Sequence, residues 1–219
     1  SSATVYGDAL YLPVDEKHSI SPTNPYGSTK NIVENLLRDW TISSPKASAV
    51  VLRYFNPIGA DQLGKIGEDS KGNPENLVPI LAQVALKKRS KVLVYGTNYV
   101  TRDGTGERDY IHIEDLAEAH ACALRYSMKN FGIEIFNVGT GKSTTVFELI
   151  KIYQDVSNEK IPYVCVDARS GDIAKSIASP QKAKEILGWE AKFGIREAIE
   201  SSWKWQTENP NGYKKSPLI

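Results

Sequence analysis

Cysteine, long apolar runs and an excess of either charge are all scarce in this chain, and each shortage closes a class of function. The two cysteines, Cys122 in ACAL and Cys165 in YVCV, stand far apart in apolar segments without metal-ligand spacing. That pattern argues against a zinc site or a disulfide framework, and for buried free thiols in a reducing, cytoplasmic compartment. No apolar run reaches the roughly 18 residues of a membrane-spanning helix. With 27 Lys+Arg against 26 Asp+Glu the formal charge is +1, and the basic residues are scattered without interleaved aromatics, so a nucleic-acid partner is not expected. The dinucleotide fingerprint G-x-G-x-x-G is also missing, and with it the glycine turn and helix start that take a pyrophosphate. The chain opens on Ser1 rather than methionine, with no charged and then apolar leader. SSATVY reads as the end of a strand with no partner before it, so a natural N-terminus further upstream is expected.

What is present is an ordinary globular balance: 219 residues, 41% hydrophobic and 24% charged, enough for one large or two small cores. Ile32, Val33, Leu36, Leu37 and Trp40 repeat at three and four, which predicts a helix over 26–40. The run Ala47–Phe55 is β-branched and apolar in its middle, as a strand buried on both faces would be. Asn56–Asn76 reads as one long loop of the kind that carries function. A helix over 77–88, a strand over 91–96 and a polar glycine-containing loop over 98–109 follow. Beyond them come a strand end and a helix near Asp115, a strand in IEIFNVG, and a helix announced by the T-x-x-E capping box Thr145/Glu148. The last third repeats the alternation, with a strand at 163–166 and helices at 181–187 and 195–206, the last packed through Trp203 and Trp205. The fold class is α/β with a parallel sheet.

Two motifs suggest chemistry. In NPYGSTK, Asn24–Lys30, a tyrosine and a lysine stand four apart, on one face of a helix. A cation beside a phenol favours the phenolate, so Tyr26 and Lys30 together form a candidate proton acceptor. GTGKST, Gly139–Thr144, imitates the end of a phosphate-binding P-loop, but the first glycine of that motif would fall on Phe136. A strand-to-helix turn is the plainer reading. Arg108 and Arg169 sit in polar, glycine-containing loops, where a guanidinium fork would suit phosphate oxygens but a surface arginine is the plainer reading. His112 reads as a packed strand residue rather than a general base.

The runs SSATVYGD, NPYGSTK, LRYFNPIGADQLGKIGED, NPENLVPILAQVA, DGTGERDYIHIEDLAEAH and ARSGD resemble, in order and over almost the whole chain, the UDP-glucose 4-epimerase family of the extended short-chain dehydrogenase/reductases. The resemblance implies the C-terminal part of a Rossmann-type parallel sheet plus a smaller α/β substrate-binding domain. Residues 1–57 would be the catalytic end of the NAD-binding domain and 58–219 the nucleotide-sugar domain, with about 108–140 returning to the Rossmann sheet. The family's glycine-bearing NAD-binding half has no counterpart here. The implied activity is interconversion of UDP-glucose and UDP-galactose with NAD as cofactor, by a cytoplasmic homodimer.

By the same resemblance Tyr26 is the catalytic base and Lys30 holds the nicotinamide ribose. Ser2 is the hydroxyl bridging tyrosine and sugar, with Thr4 the weaker candidate. Tyr54 and Pro57 line the nicotinamide; Phe55 and Asn56 contact sugar and diphosphate; Asn76 holds the nucleotide sugar and Tyr95 faces the uracil. Arg108 and Arg169 clamp the diphosphate, and Asp172 takes the uridine ribose. Three positions depart from the family pattern: Glu75 replaces a second asparagine, Ala168 a further arginine, and Ser176 a tyrosine that in some members crowds the sugar C2 substituent. Two alternatives stand beside this reading: a related nucleotide-sugar dehydratase or decarboxylase, and an inactive fragment serving only as a binding module.

Overall fold

The computed structural model describes residues 1–70 and 72–213. In chain order its elements are α1 (Pro25–Ser43), β1 (Ser48–Tyr54), β2 (Asn56–Ile58), α2 (Leu77–Ala85), β3 (Val92–Tyr95), β4 (Glu107–His112), α3 (Ile113–Ser127), β5 (Gly132–Val138), β6 (Ser143–Thr145), α4 (Val146–Ser157), β7 (Tyr163–Val166), β8 (Lys175–Ser176) and α5 (Ile195–Glu208). A 3-10 turn at Ala3–Val5 and a π-type turn at Ala183–Leu187 complete the set.

Local signals set the helix starts. Asn24 Oδ1 accepts from the Gly27 N–H at 2.9 Å and Pro25 takes the first helical position of α1, both ordinary N-terminal devices. The Thr145/Glu148 capping box opens α4 as its spacing requires. β1 lies parallel to β5, with Ser48 opposite Gly132 and Tyr54 opposite Val138, while Ser2 bridges Tyr54. A second sheet is built around β4, which pairs parallel with β2 and β8 and antiparallel with β6. β3 and β7 form a separate parallel pair. This is α/β architecture with mostly parallel pairing, as expected.

Only Phe55 separates β1 from β2, and its N–H donates to Val138 O at 3.1 Å. The chain therefore leaves the first sheet and enters the second within one residue. One core lies under β1, β5 and α3, around Leu52, Ile111, Leu116, Phe136 and Trp189. Another fills the space between α2, β3, α4 and α5, around Leu81, Val92, Leu149, Tyr153 and Ile199. A third, smaller one gathers Val5, Tyr6, Val14, Phe55 and Ala178 at the junction, directly below the carboxyl ends of β1 and β5, where open α/β sheets bind their ligands. Trp205 is buried and its indole N–H donates to Glu68 O at 3.1 Å, anchoring α5.

Three sequence expectations are corrected. Residues 1–6 are not a plain strand end, because Ser2 bridges Tyr54 but Ala3–Val5 tightens into a 3-10 turn capped by Ser2 itself. The stretch 56–76 begins as β2, whose three residues are too few to show alternation. Cys165 is exposed while Cys122 is buried, because β7 pairs with β3 at the edge of a two-stranded sheet and Tyr163 to Cys165 are left exposed on both faces.

Candidate active site

Tyr26 sits in the first turn of α1 with 55% of its surface exposed. Lys30, one turn on, holds its Nζ 5.2 Å from the Tyr26 ring centroid. The start of α1 rests directly on the 3-10 turn. A Cβ on Gly27 would come within 2.6 Å of Thr4 O, so only glycine allows this approach. Below it, Ser2 Oγ accepts from Thr4 N at 3.3 Å and from Thr4 Oγ1 at 3.0 Å.

Above this corner opens a cleft of about 400 Å³, lined among others by Ser2, Tyr26, Tyr54, Phe55, Asn56, Pro57, Asn76, Arg108, Asp172 and Ser176. These are ten of the thirteen expected site residues, drawn from the 3-10 turn, α1, the β1–β2 junction, the start of α2, β4, β8 and the loop before β8. The remaining three lie outside that lining. Lys30 borders an adjoining groove with Glu34, Tyr54 and His120. Tyr95 and Arg169 form a separate pair, the guanidinium stacked 3.8 Å from the tyrosine ring centroid.

The two arginines are held differently. Arg108 donates through Nη1 to Glu107 O and Ala174 O at 3.1 and 3.2 Å, and through Nη2 to Ile173 O at 2.8 Å, which ties β4 to the loop carrying Asp172. Arg169 is exposed and its head is steadied by Tyr95 alone among the expected site residues. The Asp172 N–H donates to Arg169 O at 3.3 Å, and Thr23 Oγ1 donates to Gly171 O at 3.3 Å. The Arg169–Asp172 loop thus touches the segment leading into Tyr26. Asn76, the N-cap residue of α2, donates to Glu68 Oε1 at 3.4 Å.

Tyr54 donates its hydroxyl to His120 Nε2, while His120 Nδ1 donates to Leu116 O at 2.7 Å. Burial pushes the Tyr54 phenol up, and the nearby Tyr26 adds to the effect. His112 is 1% exposed; its Nδ1 accepts from Glu114 N at 3.0 Å, capping α3, and its Nε2 donates to Ser201 Oγ at 3.0 Å. Both nitrogens are thus occupied structurally, and burial holds the imidazole pKa below 6.5. The P-loop look-alike is likewise structural. Its turn wraps the buried Asp109, whose carboxylate accepts from Thr140 N, Thr140 Oγ1, Gly141 N and Ala178 N at 2.7 to 3.1 Å.

Sequence reasoning missed the group that ties these parts together. Arg53 and Glu34, both buried, form a two-pronged ion pair, Nε to Oε1 at 2.9 Å and Nη2 to Oε2 at 2.6 Å. Arg53 Nη1 donates to the Tyr6 hydroxyl at 2.8 Å, which donates to Asn137 Oδ1 at 2.6 Å. Burial pushes the Tyr6 phenol up to about 12. For Glu34, burial opposes ionisation but the hydrogen bonds from Arg53 and Ser1 outweigh it, so its carboxyl lies below the usual value. The signal was available: an arginine inside a buried strand requires a buried acceptor, and Glu34 continues the four-residue stripe of Tyr26 and Lys30.

A helix-borne tyrosine and lysine at the carboxyl end of a parallel strand pair, beside a cleft rimmed by arginine, fit a Rossmann-type α/β scaffold. The chain belongs to the NAD dependent epimerase/dehydratase family, whose model matches residues 1–139. It is 48% identical over 216 residues to the UDP-glucose 4-epimerase of Bacillus subtilis (strain 168), covering 99% of this chain and 64% of that protein. It is 46% identical over 214 residues to the UDP-glucose 4-epimerase of Homo sapiens, covering 97% and 62%. The crystal structure of UDP-glucose 4-epimerase from Bifidobacterium longum in complex with NAD+ and UDP superposes with a TM-score of 0.94 at 45% identity, covering 97% of this chain and 64% of that one. The chain thus spans a little under two thirds of the length of these relatives.

Proposed function

We propose that the whole protein interconverts UDP-glucose and UDP-galactose by NAD-dependent oxidation and re-reduction at sugar C4. The observation that carries this is that Tyr26, Ser2, Arg108 and Asp172 line one and the same cleft. A base, a bridging hydroxyl and a phosphate-binding fork are thereby set along one nucleotide-sugar-sized opening. In this reading Tyr26 takes the C4 hydroxyl proton, Ser2 passes it or orients the hydroxyl, and Lys30 supplies the fixed charge that favours a phenolate. Arg108 and Arg169 hold the diphosphate, Tyr95 and Asp172 the nucleoside, and Phe55, Asn56 and Asn76 the sugar side. A nucleotide held firmly at one end leaves the sugar free to turn between the two halves of the reaction.

The residues present fit the nicotinamide end of NAD. Tyr26, Tyr54 and Pro57 line the cleft at the carboxyl end of β1, with Lys30 in the adjoining groove, and no glycine fingerprint for the pyrophosphate occurs in the 219 residues. NAD bound there would accept the C4 hydride and return it. The domain division at 57 and 58 belongs to the same reading, supported by the pairing of β5 with β1. So do a homodimer, supported by the exposed Ile32, Val33, Leu36 and Trp40 of α1, and a cytoplasmic setting, supported by the two free cysteines.

Ser176 lines the cleft and is 9% exposed. Its small side chain leaves room beside sugar C2, so UDP-N-acetylhexosamines are proposed as further substrates. Proton NMR of the whole protein with UDP-galactose tests the reaction: UDP-glucose should accumulate to a fixed ratio, and its absence with NAD bound would refute the reading. UDP-GalNAc in the same assay decides the wider specificity, background conversion being the negative result.

A further inference from the structure

The proposed reaction needs Tyr26 within hydrogen-bond reach of a sugar hydroxyl, and the one buried charged side chain of α1, Glu34, faces the strand that leads to the cleft. Within this chain only Gly27, Glu34 and Thr41 of α1 are buried, while Ile32, Val33, Leu36 and Trp40, exposed here, form the face proposed above for the dimer. Glu34 is 2% exposed and stands one turn beyond Lys30 and two beyond Tyr26, on the same face. Its carboxylate meets Arg53 through both oxygens. Arg53 in turn precedes Tyr54, the first of four successive residues, Tyr54 to Pro57, that β1 and β2 send to the cleft.

Apolar contact has no preferred direction, whereas a guanidinium–carboxylate fork fixes orientation as well as distance. Buried ion pairs are often no more stabilising than packed apolar groups of the same volume, so placement explains this pair better than stability does. The network behind Arg53, through Tyr6 to Asn137 of β5, holds the fork itself still.

We propose that Glu34 and Arg53 are positioning residues: their fork sets the rotation and axial register of α1 against β1, keeping Tyr26 and Lys30 aligned with Tyr54–Pro57. The inference rests on the epimerase reading for the reaction that the alignment serves, and on geometry alone for the alignment.

The test is made in the whole protein. The paired variant Glu34→Leu/Arg53→Met replaces the ions with packed apolar groups. It should retain NAD content, UDP affinity and KM for UDP-galactose, while kcat falls by about tenfold or more, as misplacement of a reacting group by a fraction of an ångström does. A folded paired variant with parental kcat overturns the proposal. Should that variant not fold, Glu34→Asp decides by the same split: a lower kcat at constant KM supports the proposal, and parental kcat overturns it. A second readout needs no turnover. With 3-fluorotyrosine at position 26, a single narrow ¹⁹F line in the parent should broaden or divide in Glu34→Asp, and an unchanged line overturns the proposal. Lack of epimerisation by the parent would remove the functional reading without touching that result.

Discussion

Lys30 Nζ lies 5.2 Å from the centre of the Tyr26 ring, one turn further along α1. Tyr26→Phe in the whole protein should therefore remove the proton acceptor and leave packing intact, since the ring is 55% exposed. We expect kcat to fall by about 10²- to 10⁴-fold, the range a positioned acid or base contributes, with an unchanged melting temperature. Steady-state kinetics with UDP-galactose checks this, and near-normal turnover would exclude Tyr26 as the base.

The arginines should separate. Arg169→Ala removes an exposed guanidinium stacked on Tyr95, so UDP affinity should drop by about tenfold or more with melting unaltered, in keeping with the roughly 1.5–3 kcal/mol of a charge-assisted hydrogen bond. Arg108→Ala also releases the carbonyls of Glu107, Ile173 and Ala174, and should lower both affinity and melting temperature. Calorimetric titration with UDP and thermal melts of both variants would show the contrast, or its absence.

His112 predicts an acid-side weakness. Burial holds its folded pKa below 6.5, so the unfolded chain binds the proton first and unfolding takes it up. The contribution is complete above about pH 6.5 and is lost as pH falls below it, by at most about 1.4 kcal/mol per pH unit. His112→Asn keeps an acceptor for the Glu114 N–H and should flatten that slope between about pH 6.5 and 5. Denaturant melts at both ends of the range would measure it, and an unaltered slope would show that another group governs the acid side.

Gly27→Ala places a methyl carbon 2.6 Å from Thr4 O. Relief requires α1 to lift off the 3-10 turn, at a cost of about 1–3 kcal/mol, and it carries Tyr26 away from Ser2. Both stability and turnover should fall together, and melting with kinetics on the one variant tests whether they do.

The long elements were readable because each satisfies a local rule. α1 has its Asn24 cap and Pro25, α4 its Thr145/Glu148 box, and β1 its β-branched run. β2, β6 and β8 were not, since strands of two or three residues exist only through β4, which pairs with all three. Tyr26 and Lys30 could be paired from spacing alone, whereas the remaining cleft residues needed the resemblance, because they come from segments as distant as Ser2 and Ser176. The Glu34–Arg53 pair spans two elements and violates the rule that charges lie outside, so periodicity assigned each to a surface or a strand without joining them.

The change of sheet at Phe55 has a consequence for how such an enzyme could be altered. Tyr54 belongs to one sheet and Asn56 to the other, so the two walls of the cleft are joined by continuous backbone rather than by a linker. Inserting or deleting one residue there would invert the facing of every later side chain in the strand. New specificity is therefore easier to graft by substitution onto the turn at 169–172, which belongs to no strand, than onto this seam.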